Sequence, residues 1–199
     1  NAANYLRENH IKYTIGKEKE LSKDYEIVIA IGDNKFILET FRTLGKLQIP
    51  VFAVASTQSF LAQANSLNLK HYLNLIKKGK YDIFKRARLV AKFDKTTTSI
   101  GLNDIGLFCS KSASLLKYSL ILNDETFWRD LSDGVIVATP TGSTGYSLSA
   151  GGPIVLDEPK IFTIASISSL EKHSPLVVSD ATKIKIADIE GNNPMVIVD

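Results

Sequence analysis

The residues best placed to do chemistry lie between Asp133 and Pro153, in DGVIVATPTGSTGYSLSAGGP. Thr139, Thr141, Ser143, Thr144, Ser147 and Ser149 supply hydroxyls, and Gly142, Gly145, Gly151 and Gly152 let backbone and ligand approach closely. Backbone N–H groups and short hydroxyls together suit a phosphorylated or sugar-bearing ligand. A helix starting near Ser143 would add its first unpaired N–H groups. A nucleophilic serine is the competing reading, but Gly145-Tyr146-Ser147-Leu148-Ser149 misses the last glycine of a G-x-S-x-G elbow. His10 and His173 are available as bases, yet nothing in the sequence positions them. The plain alternative is a glycine-rich helix packed tightly on a sheet.

Three acidic positions accompany this stretch. Asp33 follows Gly32 at the end of an apolar run, where open α/β sheets bind ligands; it could reach a substrate hydroxyl or a metal, or simply cap the next helix. Asn103-Asp104 reads as a turn or a polar site between strands, and Asp133-Gly134 reads as a hairpin entry. The Gly32 segment is neither a P-loop nor a GxGxxG fingerprint. Lys77-Lys78-Gly79-Lys80 reads as a solvated turn rather than a phosphate clamp.

The elements that must carry these residues fall into two textures. Tyr5–Asn9 reads as a short helix and Tyr13–Ile15 as a possible strand. Tyr25–Ile31 is a nearly continuous apolar run, the pattern of a parallel strand covered on both faces. Phe36, Ile37, Phe41 and Leu44 follow at helical spacing, with Gly45 as a C-cap. Ile49–Val54 is the next strand, and Leu67–Ile76 a helix ended by Gly79. Strand, helix, strand makes the first part α/β. From about Arg88 short strands recur at close intervals, which implies an antiparallel sandwich. The expected domains are residues 1–85 and 86–199.

With 199 residues, 44% of them hydrophobic, the chain can bury a sizeable core. A net charge of +3 gives no case for nucleic-acid binding. The lone Cys109, expected to be a small buried hydrophobe, excludes an intramolecular disulfide. No apolar run is long enough to span a membrane, so no membrane partner is expected and the cytoplasm is the expected compartment. The abrupt start at Asn1-Ala2-Ala3 and the stop at Asp199 suggest sequence missing at both ends.

The central stretch closely resembles the signature of the NAD kinase family, a DG pair, a strand and then TPTGSTAYSLSAGGPI. Other segments align in order. Gly32-Asp33 falls on the family's GGDGT motif, and Asn103-Asp104 on its Asn-Glu pair. Ala53–Phe60 falls on the G-x-N-x-G-x-L-G-F loop, and Pro175–Val178 on the R-P-[IL]-V-V strand. The resemblance implies an N-terminal α/β (Rossmann-like) domain, a C-terminal β-sandwich and a site in the cleft between them. It implies phosphoryl transfer from ATP or polyphosphate, with Mg²⁺, to the 2′-hydroxyl of the adenosine ribose of NAD. Asp33 then matches the catalytic aspartate. Asn103, Asp104, Asp133, Thr144, Gly145, Tyr146 and Ser149 match NAD-binding positions, and Gly32, Asn34 and Lys35 are donor-phosphate candidates. No residue is assigned as a metal ligand. A homo-oligomer, dimer or tetramer, is also implied.

The chain departs from the family pattern at several positions, most heavily at the donor-phosphate motif. GGDGT reads Ile31-Gly32-Asp33-Asn34-Lys35, and Asp104 is one methylene shorter than Glu. Ser168-Ser169-Leu170 stands where the family has His, and Ser174 where it has Arg. These departures leave a second reading, a non-enzymatic NAD- or NADP-binding regulatory module. A third, a kinase of lipids or sugars, is disfavoured by the NAD-type signature.

Overall fold

A computed structural model describes residues 2–16, 21, 23–55, 59–93, 97–111, 114–156 and 158–199. Ser56, Thr57 and Gln58 of the aligned loop lie outside the described residues. The contacts divide the chain into two units, Asn1–Lys85 and Arg86–Asp199.

In the first unit the apolar run after Tyr25 forms β1 (Val28–Gly32), which pairs in parallel with β2 (Val51–Ala55). A two-residue strand, β3 (Ala64–Asn65), extends the sheet in the order β1-β2-β3. Both faces are covered, as a continuous apolar run requires. Helix α2 (Asn34–Leu44) sets Ile37 against Ala30 and Ala53 on one face. Helices α1 (Ala2–Glu8) and α3 (Leu69–Lys77) bring Tyr5, Leu69 and Leu73 to Phe52 and Val54 on the other. Helix α2 buries Ile37, Thr40 and Leu44, one stripe at helical spacing. It stops at Gly45, whose φ of 53° lets its N–H return to the Arg42 carbonyl. Tyr13–Ile15 forms no strand; its three residues are too few to hold a register without a paired neighbour.

The second unit is antiparallel. A short hairpin of β4 (Leu89–Lys92) and β5 (Thr98–Gly101) opens it. The five-stranded sheet contains β6 (Asp104–Cys109), β9 (Gly134–Ala138), β10 (Ile161–Ile167), β11 (Leu176–Ser179) and β13 (Pro194–Val198), in the order β11-β10-β9-β6-β13. The second sheet runs β12-β7-β8, from β7 (Leu116–Leu122), β8 (Glu125–Ser132) and β12 (Ile184–Glu190). Leu107, Val135 and Ile164 of the first sheet meet Leu116, Tyr118 and Leu120 of the second in one buried core. Each fully buried side chain there contributes about 1.5–3 kcal/mol of transfer free energy.

Two expectations need correcting. Asp133-Gly134 does not open a hairpin, because β8 and β9 belong to different sheets and the chain crosses between layers there. A Cβ on Gly134 would lie 2.7 Å from the Leu107 carbonyl oxygen, so the crossing needs glycine for close approach. Cys109 is only partly buried; it packs on the margin of the core, with its thiol 3.5 Å from the Leu115 carbonyl.

Beneath β8 lies a buried polar knot. Asp130 is 3% exposed and accepts from the Tyr118 hydroxyl, the Ser169 hydroxyl and the Leu131 N–H. The Tyr118 hydroxyl also lies 2.6 Å from Ser166 Oγ. Burial, partly opposed by the Ser166 bond and reinforced by the Asp130 charge, pushes Tyr118 up to about 12.

Candidate functional site

The glycine- and hydroxyl-rich stretch leaves β9 and turns over one face of the five-stranded sheet. Thr141–Thr144 form a 3-10 turn and Tyr146–Ser149 a single α-helical turn, α4. The α-helical turn considered at Ser143 starts instead at Tyr146. Several of its N–H groups are already used: Ser143 N–H bonds Pro140 O, Gly145 N–H bonds Gly142 O and Leu148 N–H bonds Gly145 O. Pro140 favours this tight start, since its fixed φ suits the first position of a turn.

The hydroxyls divide by burial. Thr139, Ser143 and Ser147 are fully buried and build the turn. Thr139 Oγ1 donates to Leu102 O at 2.6 Å and accepts the Gly142 N–H. Ser143 Oγ ties Pro140 O to both main-chain groups of Val155. Ser147 Oγ lies 3.2 Å from Thr163 Oγ1 on β10. Thr144, Gly145, Tyr146 and Ser149 are exposed and line the outer side of the turn. The Tyr146 ring stacks on Phe108 with centroids 5.8 Å apart and planes 6° from parallel.

Asn103 and Asp104 meet this turn at the end of β9. The register sets Asp104 opposite Ala138, and Thr139 N–H donates to Asn103 O at 2.8 Å. A Cβ on Gly142 would sit 2.1 Å from Asn103 O, so only glycine lets the two backbones meet. A Cβ on Gly145 would lie 3.9 Å from Asp104 Oδ2, which puts the Gly145 backbone beside that carboxylate. Asn103 Oδ1 is buried and has no hydrogen-bond partner among the described residues. A buried carbonyl oxygen left unpaired costs about 1–3 kcal/mol unless something fills it. Burial first, and the nearby Asp199 charge second, raise the Asp104 carboxyl to about 6.

Asp133 does not join this group within one chain. It is exposed at the opposite end of β9, whose five residues span roughly 17 Å. In the first unit Asp33 is the N-cap of α2, its Oδ1 accepting the Phe36 N–H at 2.8 Å. Asp33, Asn34 and Lys35 are exposed together at that helix start. Gly32 admits the Phe36 side chain, which a Cβ would meet at 2.8 Å. Asn34 Oδ1 accepts the Ser59 hydroxyl, and Ser59 Oγ accepts the Leu61 and Ala62 N–H groups, so the loop after β2 is tied to the helix start. Phe60 is 87% exposed.

Two features went unread in the sequence. Asp199 accepts the Asn103 N–H, and Phe108 stacks on Tyr146. Neither has a local signal, because strand pairing brings together residues 96 positions apart in the first case. Among the described residues no group of three or more His, Cys, Asp or Glu side chains is arranged to hold a metal ion. No described helix is long and apolar enough to cross a membrane.

A parallel α/β unit followed by an antiparallel sandwich, with a glycine-rich turn over one sheet face, defines a two-domain architecture already known in solved structures. The chain belongs to the NAD kinase family. Residues 102–199 match the family described as the ATP-NAD kinase C-terminal domain. The NAD kinase of Clostridium botulinum (strain Loch Maree / Type A3) is 36% identical over 179 residues, covering 86% of this chain. The chain spans 63% of that relative's length. A crystal structure of yeast NADH kinase complexed with NADH matches with a TM-score of 0.76 and 27% identity, over 88% of this chain and 56% of that one. An NAD kinase from Archaeoglobus fulgidus in complex with ATP matches in fold over 100% of this chain and 78% of its own, with a TM-score of 0.85 and 24% identity.

Proposed function

We propose that this chain phosphorylates the 2′-hydroxyl of the adenosine ribose of NAD, with ATP or polyphosphate as donor. The observation that carries the reading is the Asn103–Asp104 pair, locked against the Thr139–Gly142 turn with an unpaired buried acceptor and a carboxylate beside Gly145. Asn103 Oδ1 accepts from the adenine amino group, and the Asp104 carboxylate from a ribose hydroxyl. Thr144, Gly145, Tyr146 and Ser149 supply the exposed wall against the nucleotide. Asp33 accepts the proton of the 2′-hydroxyl as its oxygen attacks the terminal phosphorus, and the shortened donor leaves with the bridging oxygen. Gly32, Asn34 and Lys35 contact the donor phosphates, Lys35 as a point charge.

Mg²⁺ belongs to this reading, because it screens the phosphate charge in transfers of this kind. The donor set fits a metal carried mainly by phosphates and water, which is the usual habit of Mg²⁺, with Asp33 the one carboxylate of the motif. We place the activity in the cytoplasm, consistent with a single cysteine. A homo-oligomer also belongs to the reading, since Asp133 stands away from Asp104 in one chain and a second chain could supply it.

The test is NADP formation from NAD, Mg²⁺ and either ATP or polyphosphate. Asp33→Asn keeps the helix cap, because Asn caps as well as Asp. It removes the base and should lower turnover by at least 10²-fold. Full activity in Asp33→Asn sinks the catalytic role. One observation favours the regulatory-module alternative: Asp33 already serves as a cap within an altered GGDGT motif. NAD binding without NADP formation from either donor would decide for that alternative.

A further inference from the structure

We propose that Asp199 is a positioning residue for the nucleoside subsite, holding the Asn103 main chain from the strand alongside. The inference rests on the nucleotide reading above and adds a residue to it. Strand β13 pairs with β6 up to Val198 opposite Ile105, and the next residue reaches the turn before β6. There Asp199 Oδ2 accepts the Asn103 N–H, and the Asp199 N–H donates to Asp104 O at 3.2 Å. On the other side, Thr139 N–H holds Asn103 O, and the Gly142 backbone closes against it.

Both main-chain groups of Asn103 are thus pinned, one from β13 and one from the turn after β9. The side-chain oxygen is the part left unpaired, and it is buried. Fixing the main chain confines the direction of that oxygen before any ligand arrives, which lowers the ordering cost of binding. An Asn at this position without the Asp199 acceptor would leave its N–H unpaired and free the turn to relax. The same contact sets a second carboxylate near Asp104, and that charge adds to burial in raising the Asp104 carboxyl. Besides Asp104, the described strands β6, β9 and β13 and the Thr139–Thr144 turn carry one titratable side chain, Cys109, and it lies at the far end of β6. Arg86, whose guanidinium donates to Thr141 Oγ1 at 3.4 Å, Arg88, just before β4, and Tyr146, just beyond Gly145, are further charged or titratable side chains on the segments that meet here.

The test compares Asp199→Ala with Asp199→Asn in the full chain. Asn retains an acceptor oxygen for the Asn103 N–H, and Ala does not. In the ligand-free protein, amide hydrogen exchange at Asn103 should speed up about tenfold or more in Asp199→Ala, the loss of one hydrogen bond, and stay near wild type in Asp199→Asn. The Kd for NAD should rise by a similar factor in Asp199→Ala and be rescued in Asp199→Asn, with KM for NAD changing more than kcat. Unchanged Asn103 exchange in Asp199→Ala overturns the proposal, and so does an Asp199→Asn variant as impaired as Asp199→Ala. A wild-type chain that shows no NAD binding overturns the nucleotide reading instead, while the exchange measurement still decides the Asp199 contact. Should Asp199→Ala fail to fold, Asp199→Asn alone carries the test through its exchange rate.

Discussion

Asp104 shows what one carboxyl pays for its place. Its folded pKa, about 6, lies above the ordinary 3.8, through burial first and the Asp199 charge second. A raised carboxyl pKa means that the folded state binds the proton more tightly than the unfolded one. Its stabilising contribution is present below about pH 4 and is lost as pH rises through about 6. Asp104→Asn should therefore resist urea better than wild type at pH 7.5, with the difference closing by pH 4 in a series of urea titrations. Ligand binding should move the other way. An ionised Asp104 accepts a ribose hydroxyl best, so wild-type affinity for NAD, measured by calorimetry, should fall as pH drops through 6. Gly142 is a steric counterpart. A Cβ there meets Asn103 O at 2.1 Å, so Gly142→Ala should cost about 1–3 kcal/mol in chemical denaturation and weaken NAD binding with it.

At the scale of elements, two devices hold the site's supports. Helix α2 starts on the Asp33 cap. Asp33→Ala should cost the protein about 1 kcal/mol of stability, whereas Asp33→Asn should cost little. Thermal melts of the two variants separate the cap from the catalytic chemistry. Strand β8 carries Asp130, which satisfies Tyr118, Ser169 and the Leu131 N–H at once. Asp130→Ala would strand several buried donors together and should destabilise the sandwich by about 2 kcal/mol or more, read by urea unfolding. Ser169 sits in the segment after β10, whose Leu170 N–H also bonds Leu131 O. The knot therefore ties the β10–β11 connection to the opposite sheet. The Trp128 ring, stacked on His173 at 4.2 Å, adds a second tie between the same segments.

For the whole molecule, the division into Asn1–Lys85 and Arg86–Asp199 gives each unit its own buried core. Units with separate cores can unfold separately. Scanning calorimetry should resolve two transitions, with Asp33→Ala lowering one midpoint and Gly142→Ala the other. A single transition shifted alike by both changes would show that the units unfold as one.

Much of the fold is legible from local pattern. The apolar run before Gly32 and the helical spacing after it dictate a covered parallel strand and an amphipathic helix. The short alternating strands after Arg88 dictate antiparallel sheets. Periodicity and glycine placement are near-neighbour properties, so one chain suffices to read them. The long TPTGSTGYSLSAGGP match likewise points to the NAD kinase family from residue order alone. What pattern cannot reach is the pairing between distant segments. That Asp133-Gly134 crosses between sheets depends on which strands β8 and β9 join. That Ser143 and Ser147 turn inward while Thr144 and Ser149 face out depends on how a single helical turn lies on β10. The Asp199 contact with Asn103 exists only because β13 pairs with β6. In the glycine- and hydroxyl-rich stretch, residue type and spacing are enough to require a tight turn of small polar residues. Which hydroxyls are used up in building that turn and which remain for a ligand follows from the fold, because burial and register are set by the partners the chain finds far along its length.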